Sequence, residues 1–192
     1  MTHPFRERLK GPRLVERVTL VGMEPKLSLT DRAVRAALGE GAAHGFKLAA
    51  LFAKDGELGT VWTVQRPQVY RALEHLELRG LAYTTGHEPG AGGPPRLEYI
   101  LTERGRTTLD AWLATPVTHL RDARSELLLK LAFLERLEGD AGPLLRAQTR
   151  HFKTLQHDYR ARLANARGAT RLALSWRLEA LAAALRFLAD RS

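Results

Sequence analysis

The stretch QRPQVYRALEHLELRGLAYTT, residues 65–85, changes its periodicity at a single position, Gly80. Before it, Val69, Leu73 and Leu76 recur at helical spacing, and Pro67 suits a first helical turn, where its missing N–H is not needed. Behind it the pattern alternates, Leu81, Tyr83 and Thr85 on one side and Ala82 and Thr84 on the other, which predicts a strand. Gly80 stands where a helix ends in a left-handed residue.

Downstream, Pro89-Gly90-Ala91-Gly92-Gly93-Pro94-Pro95 bars regular structure. Leu97, Tyr99 and Leu101 then resume the alternation, with Arg96, Glu98 and Ile100 between them, so two strands form a hairpin. Thr102 caps a further helix with Glu103 at its start, and Leu109, Trp112 and Leu113 give that helix an apolar face before Pro116. Upstream, Leu58 to Val64 reads as an extended connector. Phe46, Leu48, Ala49, Leu51 and Phe52 predict a short helix, preceded by a turn over Glu40 to His44 in which His44 turns or caps the chain. Thr30 is the expected N-cap of a first helix, with Asp31 in its first turn and Leu29 and Val34 as a hydrophobic staple. Ala33, Val34, Ala37 and Leu38 form its stripe, which ends at Gly39. Residues 1–27 carry Pro4, Pro12 and Pro25 without a sustained period and read as a loose arm.

Three helices, a hairpin and a fourth helix are the order of a winged helix-turn-helix, assigned to residues 28–115. Residues 116–192 read as helical only. Leu127, Leu128, Leu131, Leu134 and Leu137 make one stripe, and Leu145, Gln148, Phe152, Leu155, Tyr159 and Leu163 make a second. In the last helix, capped by Thr170, two seams coexist: Leu174, Leu178, Leu181, Leu185 and Leu188 on one, Ala173, Trp176, Ala180, Ala183 and Phe187 on the other. A helix apolar on two faces is buried from two sides. This part is therefore expected to be an all-α dimerisation domain, with the contact assigned to Leu174, Leu178, Leu181, Leu185 and Leu188. The fold class is mainly α with a small β-hairpin wing.

Composition narrows the function. The 192 residues are 44% hydrophobic and 27% charged, ordinary globular usage, and contain no cysteine. Disulfides, thiolate zinc sites and cysteine nucleophiles are thereby excluded. The apolar run Val18 to Met23 is too short for a signal sequence, and no stretch reaches membrane-spanning length, so a cytoplasmic location and no membrane partner are expected. The formal charge of +9 points to a polyanion. It divides as +3 over residues 1–27, zero over 28–115 and +6 over 116–192. Local arrangement must therefore do what the domain total does not.

With Val69, Leu73 and Leu76 buried, the opposite face of the third helix presents Gln68, Arg71, His75 and Arg79, with Gln65 and Arg66 at its tip. Arg pairs bidentately with guanine and Gln with adenine, and no acid occurs between Thr63 and Leu73. In winged helices this is the helix that enters the major groove of duplex DNA.

The stretches His44-Gly45-Phe46-Lys47-Leu48, Pro67-Gln68-Val69-Tyr70-Arg71-Ala72-Leu73, Leu78-Arg79-Gly80-Leu81, Gly92-Gly93-Pro94-Pro95-Arg96, Tyr99-Ile100-Leu101-Thr102 and Gly105-Arg106 resemble, in order and spacing, the PadR family of regulators. So does Glu126-Leu127-Leu128-Leu129-Lys130, at the start of the family's helical dimerisation part. The resemblance implies a homodimeric, ligand-responsive repressor acting on an inverted repeat, with Tyr70 near phosphate at the base of helix three and Arg96 as the wing's basic residue. It also implies a small-molecule effector of unstated identity near the dimer interface. One departure is Arg66, where the family often places Ser before the helix-three proline. Arg66 cannot cap a helix, so capping falls to another group.

Other readings are weaker. Gly86 to Gly93 lacks the Lys-Ser/Thr of a phosphate loop and reads as a wing tip. The seven His include no close ligand pair on one helix face, and His151 and His157 read as helix surface; neither metal nor cofactor is expected. Trp62, Trp112 and Trp176 read as core or interface. No nucleophile with a base, carboxylate pair or cofactor loop supports an enzyme. The alternative is a winged helix used for protein contact without sequence-specific DNA binding.

Overall fold

The computed structural model describes residues 27–88 and 96–191; the arm before Leu27 and the wing tip Pro89 to Pro95 lie outside the described residues. Helix α1 (Leu29–Gly39) is followed by a two-residue strand β1 (Ala43–His44), α2 (Gly45–Leu51) and α3 (Arg66–Leu78). The wing strands are β2 (Ala82–Glu88) and β3 (Arg96–Leu101), and α4 is Glu103–Ala114. A 3₁₀ turn at Leu120–Asp122 and a π turn at Ala123–Leu127 lead into α5 (Leu128–Arg136), α6 (Gly142–Ala164) and α7 (Gly168–Ala189).

Helix α1 starts two residues earlier than its sequence signals suggest. Ser28, not Thr30, is the N-cap: its Oγ accepts from the Asp31 N–H at 3.1 Å, and Asp31 Oδ2 accepts from the Ser28 N–H at 3.0 Å. This reciprocal pair satisfies two helix-end donors and moves the staple positions off Leu29 and Val34. The stripe itself forms as expected, with Ala33, Val34, Ala37 and Leu38 buried. At the other end of the chain, α7 begins at Gly168 after Arg167, so Thr170 lies inside the first turn instead of capping it.

His44 caps α2 through Nδ1, which accepts from the Lys47 N–H at 3.1 Å. Ala43 and His44 also pair with Tyr99 and Glu98, giving a three-stranded antiparallel sheet of order β1-β3-β2 where a hairpin and a turn were expected. Two residues are too few for an alternation to show. The connector Leu58 to Val64 is wound against α2, not extended. Leu58 N–H donates to Leu51 O, Trp62 N–H to Leu58 O and Val64 N–H to Phe52 O, at 3.1, 2.8 and 3.0 Å.

Val69, Ala72, Leu73 and Leu76 bury the inner face of α3. The helix ends in a Schellman motif, with Gly80 N–H donating to Glu77 O and Leu81 N–H to Leu76 O, both at 2.9 Å. Thr102, the N-cap of α4, ties this end down. Its hydroxyl donates to Gly80 O at 2.8 Å and accepts from the Gly105 N–H at 3.0 Å, while its own N–H donates to Leu81 O at 3.0 Å.

Two cores result. The first, around Leu38, Phe52, Leu73 and Leu76, is completed by Leu129 and Phe133 of α5; the Phe52 and Phe133 rings lie 6.4 Å apart. The second gathers Val117, Leu127, Leu144, Leu145, Phe152, Leu181 and Leu188. The stripe expected in α5 is out of phase with its buried face: Leu129, Lys130 and Phe133 are buried, Leu128 and Leu131 only partly. The π turn just before it adds a residue to the repeat and rotates the helix. Gln148, buried in α6, accepts from the Val117 N–H at 2.7 Å and donates to Val117 O at 3.1 Å, fixing the chain between α4 and α5.

Glu126 joins the two parts. Its Oε1 accepts from Trp112 Nε1 at 2.7 Å and from Arg32 Nη1 at 3.2 Å, and Lys130 Nζ stands 3.2 Å away. Lys130 is itself buried and donates to Thr115 O at 2.5 Å. Burial alone raises the Glu126 pKa, but the Trp112 hydrogen bond, Lys130 and Arg32 outweigh it and hold the carboxyl below its ordinary value. Its folded pKa being depressed, Glu126 contributes stability that is present above its unfolded pKa and lost as pH falls through the folded one. Denaturation of the wild type is therefore expected to steepen in acid below about pH 5. Glu126→Gln should be less stable at neutral pH and flatter across that window; equal slopes for the two proteins would contradict the assignment.

Gly45 lets α2 approach α3. A Cβ there would sit 2.7 Å from Tyr70 Cε1 and 3.2 Å from Leu73 Cδ1. Alanine in place of glycine ordinarily favours a helix by about 1 kcal/mol. Here the crowding should reverse the sign, so that Gly45→Ala lowers stability by ~1–3 kcal/mol in urea denaturation. In a Tyr70→Ala background much of that loss should disappear; a Gly45→Ala protein more stable than wild type would show that the ring yields freely.

Candidate nucleic-acid interface

The N-terminal ends of α2 and α3 come together at one tip of the molecule. Gln65, Arg66, Gln68 and Arg71 are exposed there, and Tyr70 is 37% exposed. Arg66 does not wave freely. Its guanidinium carbon lies 5.4 Å from the Phe46 ring centroid and 5.6 Å from that of Tyr70, so two aromatic faces hold one charge at the start of α3. The position also suits an anion, because the positive end of the helix dipole points the same way.

The residue that replaces the missing cap is Gln65, at the N-cap position, whose N–H donates to Gln68 Oε1 at 3.1 Å. Gln68 thereby starts the helix as well as facing outward. Its carbonyl keeps a second lone pair and its amide N–H₂ group both protons, the two functions that bidentate pairing with adenine uses.

The face read as Gln68, Arg71, His75 and Arg79 is divided by the structure. Arg71 points to solvent, but the C-terminal half of α3 packs beside α1, and there His75 Nδ1 lies 3.3 Å from the shielded Asp31 Oδ1. Arg79 Nη1 donates to His75 O at 3.2 Å and its Nε is buried. Both side chains are thus tied to the body of the domain, although the His75 side chain remains 41% exposed. Arg96 stands opposite Glu88 in the wing; its side chain lies outside the described residues.

Charge along α3 follows the same division. Glu74 and Glu77 are exposed towards its far end, and, after burial itself, Glu77 and then Glu74 keep the Tyr99 phenol above its ordinary range. The tip is basic and the far end acidic. Sequence reasoning missed two residues of the tip. Phe46, read only for the helical spacing it shares with Leu48 to Phe52, is 47% exposed and holds Arg66; Lys47, one residue on, is exposed. A phenylalanine beside a lysine at a helix start was the available signal.

The leucine seam expected to form the dimer contact is largely covered within the subunit. Leu174, Leu181 and Leu188 are buried within the subunit, and Leu178 and Leu185 are half-buried, because α6 packs along this seam. The opposite seam is left open, with Leu172 and Trp176 about three-quarters exposed at 75% and 74%. Beside it runs a groove of 740 Å³ lined by Leu120, Leu128, Tyr159, Trp176, Ala180 and Phe187 among others. Among the described residues no helix is long and apolar enough to cross a membrane, and no group of three or more metal-ligating side chains is found.

Comparison with known proteins finds a family match over part of the chain. Residues 35–111 match the transcriptional regulator PadR-like family. A probable transcriptional regulator of Mycobacterium tuberculosis is 32% identical over 97 residues, 50% of this chain and 49% of that protein. The chain thus matches about half the length of that curated relative. Among solved structures, Bacillus subtilis PadR in complex with operator DNA is similar at 23% identity, covering 83% of this chain and 96% of that one, with a TM-score of 0.43. The same protein in complex with p-coumaric acid is similar at 22% identity, covering 88% and 96%, with a TM-score of 0.39. The matched segment runs from the second half of α1 through α2, α3 and the wing strands to most of α4, and over that length the chain is similar to the PadR-like family of transcriptional regulators.

Proposed function

We propose that this chain is a sequence-specific regulator that binds double-stranded DNA as a homodimer, with the N-terminal half of α3 in the major groove. The observation that carries the reading is the tip itself: Gln65, Arg66, Gln68 and Arg71 lie together, exposed and free of acids, with Arg66 pinned between Phe46 and Tyr70. Arg71 is the base reader and Gln68 its neighbour; Arg66, Lys47 and Tyr70 bind phosphate and set the register. Arg96 extends the contact along the wing. His75 and Arg79 serve from behind, by fixing α3 against α1.

Residues 28–115 act as the reader and 116–192 as the pairing part, with residues 1–27 as an arm. The open seam of α7 is the pairing face, since its leucine seam is already covered by α6. A shared α7 also gives repression a lever. A small molecule in the groove beside Trp176 would alter how two copies of α7 pack, change the separation of the two α3 helices and so the fit to operator spacing. Such a protein acts in the cytoplasm, where the DNA is.

The test is selection of duplexes from a random library, sequenced in parallel for the wild type and Arg71→Ala. The expected result is an inverted repeat with half-sites about one helical turn apart. Arg71→Ala should read particular positions less sharply, by ~1–3 kcal/mol. No enriched motif at near-physiological salt would contradict the proposal and favour a winged helix that contacts protein.

A further inference from the structure

Helix α5 is fastened to the reader at both ends. Just before it, Glu126 holds Trp112 and Arg32. At its last residue, Arg136, the Nε and Nη2 groups donate to Glu40 Oε1 and Oε2 at 2.6 and 2.8 Å, a bidentate pair, and Nη1 donates to Glu57 Oε2. Glu40 is the C-cap of α1, and Glu57 stands in the connector between α2 and α3. One guanidinium thus spans three separate stretches of chain. An isolated surface ion pair contributes little, but a bidentate pair extended into a network holds its geometry.

The connector that Arg136 grips is tightly wound. Leu58 and Val64 are buried, and their N–H groups donate to Leu51 O and Phe52 O of the α2 segment. At Gly59 a Cβ would come within 1.9 Å of Ala53 O, so the winding needs a glycine there. The connector ends at Gln65, the N-cap of α3. A shift at Glu57 is therefore carried to the start of α3. The other contact between α5 and this region, that of the Phe52 and Phe133 rings, is apolar and non-directional, and keeps the elements together without fixing their angle. Among the described residues no further ion pair joins α5 to the connector. We propose that Arg136 is a positioning residue for the reading of DNA: through Glu57 it holds the connector, and with it the tip at Gln65 and Arg66, in place relative to α1 and α5. The role in reading rests on the function proposed above; the clasp itself does not.

Amide-resolved hydrogen exchange of the full chain tests the clasp without DNA. Arg136→Met should speed exchange of the Leu58 and Val64 amides about tenfold and leave those of Leu81 and Thr102, bonded at the far end of α3, unchanged. Glu57→Gln, at an exposed position, should do the same, and the double variant should exchange no faster than the faster single one, because both remove one link. The same proteins are then compared on the selected repeat and on a scrambled duplex, where the ratio of affinities should fall about fivefold in each variant. Unchanged exchange at Leu58 and Val64, or equal acceleration at Leu81 and Thr102, would overturn the clasp. A wild type that prefers no duplex would contradict the function proposed above and leave exchange to decide the clasp. A selective wild type whose variants keep the full ratio would overturn the part of Arg136 in reading.

Discussion

The structure hangs on what Thr102 does at the junction of α3, the wing and α4. Its hydroxyl donates to the Gly80 carbonyl and accepts from the Gly105 N–H, and its backbone N–H bonds the Leu81 carbonyl. One residue thus closes the end of α3, the end of β3 and the start of α4. A carbonyl orphaned at the end of a helix and an N–H orphaned at the start of another satisfy each other's needs through a single side chain. The angle at which the wing leaves α3 is fixed there, not along the strands, on which Tyr83 and Leu97 are exposed.

Given that anchor, α3 has two halves with different work. Its far half is committed to α1 through His75 and Asp31 and carries Glu74 and Glu77 on its open side. Its near half is open, basic and stiffened, since Arg66 lies between two rings and Gln68 closes the first turn. A pre-positioned cation loses less freedom on meeting an anion than a free one, which favours contact at the tip. At the seam with α5, Glu126 links α4, α1 and α5.

Much of the fold was legible because its signals are local. The switch of period at Gly80, the Thr102 cap and the apolar stripes of α1, α3 and α4 all formed where the sequence places them. What escaped depends on partners far along the chain. β1 exists only because β3 passes beside Ala43, and the buried face of α5 follows a π turn that no periodicity announces. The site was half legible for the same reason. Spacing put His75 and Arg79 on the outer side of α3, but the approach of α1 decides which outer residues meet solvent, and α6 decides which seam of α7 stays open.

The central claim, that the near half of α3 is the surface that meets DNA bases, is tested most directly by photo-crosslinking to a duplex carrying the selected repeat. The chain carries p-benzoyl-phenylalanine in place of Arg71, or, as the comparison, in place of the exposed Arg150 of α6. The account predicts a crosslink from position 71, mapped to one base step within each half-site, and none from position 150. Crosslinks from position 150, with position 71 silent on a duplex that still binds, would show that the DNA lies against the C-terminal helices and that α3 is not the reader.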